Sequence, residues 1–379
     1  MKFIVSSTDL LSHLQAISRV INSKNSLPIL DNFLFHLQGS TLTITASDIE
    51  TTLITSMSVE SAQGEGKVAV ASKLLIDTLR EFSEQPLTFS INESNLAMII
   101  SSPNGNYNFI GQNGDEYPRL PQLSEDSRKL IMPVSSLLSG ITKTIFCTAD
   151  DELRPVMNGI FFDINPDKIT MVATDAHKLV RCTTNFTSIA VGDDEEQVNF
   201  ILPKKPATLL KNILPKESGS VEIRFDKKNV YFKLSNYTMI CRQVEGKFPN
   251  YNAVIPTSNP YKIIIDRLNL HNALKRVSVF SNQASNLVKL AFSNNEIQIS
   301  AQDIDFSISA EERISCQFEG DPIKIGFKSS FLVEILGNIN SSEVVLEMSD
   351  ASRAGLILPF ENENDEEILM LLMPMLLND

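Results

Sequence analysis

The sequence predicts an α+β protein made of three tandem copies of one unit, each with two helices laid on one side of a mostly antiparallel sheet. The first observation is a repeated setting: Asp48, Asp175 and Asp303 each follow a run of alternating apolar residues, and successive aspartates are 127 and 128 residues apart. The second is that strands, helices and a closing residue–proline step surround each aspartate in the same order. The three domains are expected at residues 1–125, 126–256 and 257–379.

Each copy is expected to begin with an apolar strand, at 2–5, 129–132 and 262–265. The helix that follows has apolar residues three and four positions apart, which makes one buried stripe. These stripes are Leu10, Leu14, Ile17 and Ile21; Val134, Leu138, Ile141 and Ile145; and Leu270, Leu274 and Val277. Asp9 and Asp266 stand near the expected helix starts, where a short acceptor caps free N–H groups.

A second helix is predicted in each copy, over residues 72–82, 206–214 and 329–339. Alternating strands follow it, for example at 87–91 and 221–225. The copies close on Tyr117-Pro118, Phe248-Pro249 and Met373-Pro374. The links at 118–127 and 249–260 are polar and contain proline, as domain connectors do.

The bulk properties indicate a globular cytoplasmic protein without a cofactor. No apolar run is long enough to span a membrane, and the N-terminus has no signal-peptide pattern. Four scattered cysteines and four dispersed histidines have no metal-ligand spacing, so we expect reduced buried thiols and no metal. No glycine-rich phosphate loop is present.

The net charge of −13 hides a segregated distribution. Acidic clusters fall in expected loops, whereas the expected helices are rich in basic residues. Eight of these are candidate contacts to a phosphate backbone: Lys73, Arg80, Lys143, Lys204, Lys205, Lys211, Lys275 and Arg276. If all six helices face one side, that side suits a phosphate backbone, which binds cations without reading sequence. The alternative is that these lysines only solvate exposed helix faces.

The residues alone leave two other functions open. Asp175-Ala-His177 could orient a general base in a hydrolase or transferase. However, no nucleophile motif accompanies it, and the aspartate recurs in the other two copies without the histidine. The repeat could also build a binding module for a surface or a carbohydrate; the basic helices and the expected reduced cysteines disfavour this.

Five segments, in the same order from the first residue to the C-terminus, resemble the bacterial β sliding clamps, the processivity subunits of DNA polymerase III. They are the opening Met-Lys-Phe-x-Val, the segments at 27–32, 172–179 and 246–251, and Met373-Pro-Met375. The resemblance implies a head-to-tail homodimeric ring of six domains around duplex DNA, held without sequence preference. It implies no catalysis: the ring tethers the replicative polymerase, which raises its effective concentration at the primer end. The clamp loader and other clamp-binding-motif proteins are further implied partners.

The resemblance also implies a groove for partner peptides between the second and third domains. Methionines make such a groove adaptable to several partners. The matching positions are Met157, Thr174, Ala176, His177, Lys178, Leu179, Pro249, Val254, Leu372, Met373, Pro374, Met375 and Leu377.

Several positions depart from the family pattern. Ala176 stands where glycine is frequent, Lys178 where arginine is frequent and Leu376 where a basic residue is frequent. Pro155-Val156 replaces a common tyrosine pair, and Asn378-Asp379 extends the usual end. These departures bear on which peptides the groove prefers.

The resemblance adds two further sets of residues. Lys24 matches a basic position on an inner loop of the family, and Arg154 is expected near the hole. Tyr107 and Phe109, on an edge strand of the first domain, are expected to meet Val279 and Phe280 of the third domain in the other subunit. A head-to-tail interface that closes after two subunits would cover these apolar side chains.

Overall fold

The computed structural model describes residues 1–22, 25, 27–185, 198–363 and 365–377. The described residues divide into two compact units. Unit 1 comprises residues 1–138 and 208–243, and unit 2 comprises residues 139–185, 198–207 and 244–377. The second copy of the repeat therefore contributes residues to both units.

In the described residues of the first copy there are two α-helices, α1 and α2, and ten strands, β1 to β10. In chain order they are β1 Lys2–Ser6, α1 Ser7–Ser18, β2 Asn32–Gln38, β3 Thr41–Ser47, β4 Thr51–Ser58, β5 Ser61–Gln63, β6 Gly66–Ala71, α2 Ser72–Arg80, β7 Pro86–Ile91, β8 Ala97–Ser102, β9 Gly105–Ile110 and β10 Gln112–Asn113.

The described residues of the second and third copies repeat the order of the helices and the longer strands. The second has β11 Arg128–Pro133, α3 Val134–Thr144, β12 Gly159–Asn165, β13 Lys168–Thr174, β14 Lys178–Asn185, β15 Val198–Pro203, α4 Lys204–Ile213, β16 Ser220–Phe225, β17 Asn229–Lys233 and β18 Tyr237–Arg242. The third has β19 Tyr261–Asp266, α5 Arg267–Ser278, β20 Leu287–Ser293, β21 Glu296–Asp303, β22 Ile308–Ser315, β23 Gln317–Phe318, β24 Ile323–Lys328, α6 Ser329–Gly337, β25 Glu343–Met348, β26 Gly355–Pro359 and β27 Glu366–Leu372.

Unit 1 contains two antiparallel sheets. One has five strands in the order β5-β1-β7-β8-β9, all from the first copy. The other has nine strands in the order β10-β6-β2-β3-β4-β18-β17-β16-β11. Strand β4 of the first copy pairs with β18 of the second, with Thr51 opposite Cys241, so hydrogen bonds join the two copies into one sheet.

Unit 2 has the same construction. Its nine-stranded sheet runs β15-β12-β13-β14-β27-β26-β25-β19-β23, and its four-stranded sheet runs β22-β21-β20-β24. Here β14 of the second copy pairs with β27 of the third, with Lys178 opposite Leu372. Position by position, this junction corresponds to the β4–β18 junction of unit 1.

The core follows from strand alternation and helix stripes. In β25 the inward residues Val344, Leu346 and Met348 are fully buried, while the residues between them are half-buried, because successive side chains point to opposite faces of a sheet. In unit 1 the rings of Phe3 and Phe89 stack at 4.9 Å. Among the described residues of unit 2, the buried side chains form separate clusters, a large one that includes the stripe of α5 and a smaller one around Phe161 and Phe248.

The repeat, the six predicted helices and the helix-on-sheet arrangement are confirmed, with local corrections. The stripe of α5 is buried, and so are Leu10, Leu14 and Ile17 of α1, but Ile21 lies beyond the end of α1 and is half-buried. In α3 it is Leu137, not Leu138, that is fully buried. Asp266 caps α5 as predicted, accepting from the backbone N–H of Asn269 at 2.7 Å. The cap of α1 is Ser6 instead, and Asp9 donates its own N–H to it at 3.3 Å.

All four cysteines are buried and unpaired, and burial raises the pKa of the Cys182 thiol to about 12. Thiols held in this state are chemically inert, as expected for structural cysteines. None of the helices in the described ranges combines the length and the apolar character that a membrane span requires.

Candidate functional site

The turn between β13 and β14 is held by Asp175. Its Oδ1 accepts the backbone N–H groups of His177 at 2.9 Å and Lys178 at 2.8 Å, and the Thr174 hydroxyl donates to the Lys178 carbonyl at 2.8 Å. A carboxylate engaged by backbone donors in this way closes a turn and is not oriented towards an imidazole. Asp48 does the same in unit 1, accepting from the Thr51 N–H at 2.6 Å, which explains why the aspartate recurs without the histidine.

Ala176 lies at the tip of this turn with φ +74°, in the left-handed region. A side chain beyond glycine is strained there, because Cβ approaches the neighbouring carbonyl. Glycine, which has no Cβ, would adopt this backbone without strain. The turn therefore keeps its shape in this chain despite an unfavourable residue, and His177 beside it is exposed.

The C-terminal tail continues the sheet past the turn. The Met373 N–H donates to the His177 carbonyl at 2.9 Å, and the Met375 N–H donates to the Gly326 carbonyl at 2.8 Å. Met373 is 44% exposed, and Pro374, Met375 and Leu377 are half-buried. These bonds place the Met-Pro-Met segment between the β13–β14 turn and β24.

An apolar floor lies beneath the turn and the tail. Leu179 and Leu371 pack in one buried cluster with Phe248, whose ring stacks on Phe161 at 4.7 Å between centroids. The Tyr251 hydroxyl donates to Asp163 at 2.8 Å, which fixes the segment that carries Val254. Pro249 and Val254 are exposed beside this cluster, so the predicted groove residues of that segment present apolar surface to solvent.

The helix α6 and the end of β24 contribute side chains that the sequence analysis did not include. The Phe331 ring lies 6.0 Å from the His177 ring, and the Lys328 ammonium lies 4.6 Å from the Phe331 centroid. Their signal in the sequence was weak: Phe331 sits on the predicted second helix of the third copy, but nothing in the pattern connects it with residue 177. Both belong to the candidate groove.

The predicted groove residues thus fall into two groups. Ala176, His177, Pro249, Val254 and Met373 are exposed, and Met157, Pro374, Met375 and Leu377 are half-buried. Thr174, Lys178, Leu179 and Leu372 are buried and support the others. The Lys178 ammonium is paired with Glu334 and donates to the Phe146 carbonyl at 3.1 Å. These buried contacts hold the β13–β14 turn in place and leave the ammonium unavailable to a peptide.

The chemistry of this site is that of apolar docking. Within the described ranges, no three His, Cys, Asp or Glu side chains are grouped as metal ligands would be. Exposed methionine, proline and valine side chains around a stacked aromatic floor suit the apolar anchors of a short peptide.

Most predicted DNA contacts lie exposed on helices or beside them. Lys73, Lys204 and Lys275 are exposed, and Lys205 and Lys211 are half-buried. Three arginines form ion pairs: Arg80 with Asp77 at 3.2 Å, Arg154 with Asp151 at 2.8 Å, and Arg276 with Glu312. Such exposed pairs contribute about 0–1 kcal/mol, so phosphate groups can replace these partners. Lys24 lies outside the described residues.

Lys143 differs from its predicted role. Its side chain is buried, with its ammonium 2.6 Å from Glu366 and 3.6 Å from Glu363. The charge pattern of α3 could not reveal this, because the two partners are more than 200 residues away in the chain. An ammonium enclosed by two carboxylates is not available to a phosphate backbone.

The predicted interface residues are partly exposed. Val279 is 74% exposed, and Tyr107 and Phe280 present about half as much of their surfaces. Phe109 differs from expectation: it is buried against Met98 on the inner face of its own sheet. The sequence analysis did not include three other exposed apolar side chains: Ile110 on β9, and Ile304 and Phe306 between β21 and β22.

Comparison with known protein families gives three consecutive matches. Residues 1–121 match the N-terminal domain of the DNA polymerase III beta subunit, residues 131–250 its central domain and residues 252–376 its C-terminal domain. The three matches together leave only short links and the last three residues unmatched.

Individual relatives agree along the whole chain. The beta sliding clamp of Pseudomonas aeruginosa is 26% identical over 370 residues, covering 98% of this chain and 99% of that protein. The beta sliding clamp of Haemophilus influenzae is 27% identical over 379 residues, covering 99% of this chain and all of that protein. The crystal structure of the Pseudomonas aeruginosa DNA polymerase III subunit beta superposes with a TM-score of 0.92 at 26% identity, and that of a Bartonella birtlesii DnaN sliding clamp with 0.90 at 28%, each over both full chains.

Proposed function

The chain belongs to the DNA polymerase III beta subunit family, and from this premise we propose that two copies close head to tail into a ring around duplex DNA. It is a sliding clamp, a non-catalytic processivity factor in DNA replication. The finer points proposed below are how the ring closes, which residues face DNA, and where partner peptides dock.

The observation that best supports a closed ring is the number of strands in each sheet. Each unit has one complete nine-stranded sheet, and in each the strand after the repeated aspartate pairs with the last strand of the next copy. The five-stranded sheet of unit 1 ends on β9, and the four-stranded sheet of unit 2 ends on β22. Pairing β9 of one copy with β22 of another adds five strands and four strands into a third nine-stranded sheet of the same kind.

The residues at these edges support that pairing. An exposed edge strand offers unpaired backbone groups and is a liability unless a partner covers it. Tyr107 and Ile110 on β9, and Ile308 on β22, are exposed apolar side chains. A head-to-tail contact that closes after two subunits covers both edges and leaves no open end.

The DNA contacts proposed here are basic side chains on or near the helices, together with Lys24, which lies outside the described residues. The others are Lys73, Arg80, Arg154, Lys204, Lys205, Lys211, Lys275 and Arg276. Lys143 is not among them, because it is buried. Salt weakens each of these contacts, but they are sufficient to keep the protein on DNA, because a closed ring holds DNA topologically even where each phosphate contact is weak.

The groove formed by the β13–β14 turn, residues 248–254, α6 and the C-terminal tail is the proposed docking site for partners. The replicative polymerase, the clamp loader and other proteins with a short clamp-binding motif would each insert apolar anchors there. Because all of them would use one site per chain, they would compete. Replication places these partners, and therefore this protein, in the cytoplasm.

Retention on circular DNA tests the ring. The protein is loaded onto nicked circular plasmid with its clamp loader, isolated by gel filtration in high salt, and the plasmid is then cut with a restriction enzyme. We expect the protein to stay on the circle and to be released on cutting, because only the closed topology retains it. Equal retention on circular and linear DNA would overturn the proposal.

A further inference from the structure

A second groove lies at the junction of the first two copies, wholly within unit 1. It has a volume of 280 Å³. Apolar side chains of Ile49, Pro118 and Leu120 line it, and Ile49 and Leu120 are each nearly half exposed. The groove therefore offers apolar surface of a size that fits one or two side chains.

The turn at this groove has the same backbone construction as the turn at the peptide groove of unit 2. The Ser47 hydroxyl accepts from the Ile49 N–H at 3.1 Å, as the Thr174 hydroxyl accepts from the Ala176 N–H at 3.1 Å. Ile49 has φ +81°, close to the +74° of Ala176. A β-branched residue is especially unfavourable in this region, and strain of this kind is concentrated at ligand-binding sites.

The wall of the groove corresponds in the same way. The Arg242 N–H donates to the Glu50 carbonyl at 2.9 Å, as the Met373 N–H donates to the His177 carbonyl at 2.9 Å. Tyr117 is buried beside Pro118 in unit 1, where unit 2 has buried Phe248 beside Pro249. The two grooves are therefore equivalent products of the repeat.

Their side chains differ in charge. Arg119, Lys228 and Arg242 line the unit 1 groove. Arg242 lies 3.4 Å from Glu50, and no described side chain pairs with Arg119 or Lys228. A cationic rim that is open to solvent, in a chain of net charge −13, attracts an anionic ligand.

We propose that the unit 1 groove docks a short acidic peptide segment of a partner protein. One apolar side chain of the peptide lies between Ile49 and Leu120, and carboxylates before and after it contact Arg119, Lys228 and Arg242. The groove combines apolar depth with separate cations, which suits an apolar anchor between acidic residues better than a uniform phosphate backbone. A chain with two non-identical grooves can hold an acidic partner while another protein occupies the unit 2 site.

Fluorescence anisotropy with a labelled peptide, fluorescein–Asp-Glu-Leu-Glu-Asp, tests this on the full-length protein without DNA, so the result does not depend on ring loading. We expect the double variant Arg119→Glu, Lys228→Glu to bind at least about tenfold more weakly at physiological salt, because two attractive charges become repulsive. The matched control is Lys216→Glu, Lys233→Glu, which makes the same charge change at two exposed lysines of unit 1 outside the groove, and we expect it to bind as the parent does.

Leu120→Ser tests the apolar anchor, with an expected loss of several-fold and no change in net charge. Equal weakening by both double variants would overturn the proposal, since the attraction would then be general. Binding that is unaffected by the groove variants but lost in Met373→Asp would also overturn it, because the peptide would then occupy unit 2. So would a groove double variant that loses affinity for a short DNA duplex but keeps its affinity for the peptide.

Discussion

The ammonium of Lys143 lies 2.6 Å from Oε2 of Glu366, and both side chains are almost completely buried. The Ser139 hydroxyl donates to the same oxygen at 2.8 Å. This pair ties α3 of the second copy to β27 of the third within unit 2. A lysine that the charge pattern assigned to DNA is thus part of the junction between two copies of the repeat.

Lys143→Met is expected to lower the free energy of unfolding by about 3–5 kcal/mol, because it leaves the Glu366 carboxylate buried without its cation. The double variant Lys143→Met, Glu366→Leu should recover more than half of that loss, since no buried charge remains. Urea titration followed by circular dichroism measures both. Lys129→Met is the control: its pair with Glu222 is partly exposed, and we expect a loss of less than about 1 kcal/mol.

Ala176→Gly is expected to stabilise the protein. Relief of the left-handed strain contributes about 1–2 kcal/mol, whereas the extra freedom of glycine in the unfolded chain offsets about 0.4–1 kcal/mol. The net gain should therefore be about 0.5–1 kcal/mol in urea unfolding. Ala97→Gly, on β8 without a positive φ, is the control and should be destabilising. If Ala176→Gly loses as much stability as the control does, the backbone at residue 176 is not strained.

His13 makes the stability of unit 1 sensitive to acid. Its Nδ1 lies 2.6 Å from the Thr55 hydroxyl, and burial lowers the pKa of the imidazole below its ordinary value. The unfolded state therefore binds the proton more readily, and stability falls as the pH drops through the unfolded pKa of about 6.5. His13→Gln should make the free energy of unfolding flatter between about pH 7 and 5. His177→Gln, at an exposed ring, serves as the control, and an equal change in both variants would contradict the assignment.

Phe280→Asp is expected to convert the dimer into monomers, because a charge at a partly exposed apolar contact cannot be desolvated on assembly. Sedimentation should then give a mass near 42.1 kDa, against twice that for the parent. Leu153→Asp is the matched control, since Leu153 is exposed but lies outside the proposed interface. A parent that is monomeric at micromolar concentration would count against the ring.

The sequence was sufficient for the repeat, and the structure brings many of the residues named for the candidate groove together. Alternation and helical spacing depend on local periodicity, so Asp48, Asp175 and Asp303 were enough to align the three copies. The resemblance placed His177 and Met373 at one site, and a backbone hydrogen bond joins them. What could not be predicted depends on contacts distant in the chain.

Phe109 shows the limit most clearly. It lies on the same face of β9 as Tyr107, two residues away, yet Phe109 is buried whereas Tyr107 is 40% exposed. Its burial depends on the neighbouring strand, where Met98 lies opposite, and such a contact is not visible in the local sequence pattern. Phe331 was missed for a related reason: it reaches His177 from a helix more than 150 residues later in the chain. Periodicity identifies which face of an element is apolar, but not which element covers it.

Gly326→Ala is expected to weaken peptide binding in the unit 2 groove without unfolding the protein. A Cβ at this position would come within 2.9 Å of the Met375 carbonyl oxygen, 2.8 Å of Leu377 Cδ2 and 2.9 Å of Leu287 Cδ1. The two leucine side chains can rotate, but the Met375 carbonyl is backbone, so the tail must move away from β24. The tail bears Met373 and Met375, and moving it by even a few tenths of an ångström would disturb the packing around an apolar anchor.

The measurement is the anisotropy of a fluorescein-labelled peptide that ends in Leu-Phe, for which we expect roughly tenfold weaker binding. Gly337→Ala is the matched control in the same unit, because its nearest neighbour, the His271 Nε2 atom, is 3.8 Å away and no rearrangement is needed. If Gly326→Ala binds the peptide as tightly as Gly337→Ala does, the tail is not a wall of the groove. If the midpoint of urea unfolding also falls sharply, Leu377→Ala, which leaves Gly326 intact, separates the effect of the tail from that of the strand.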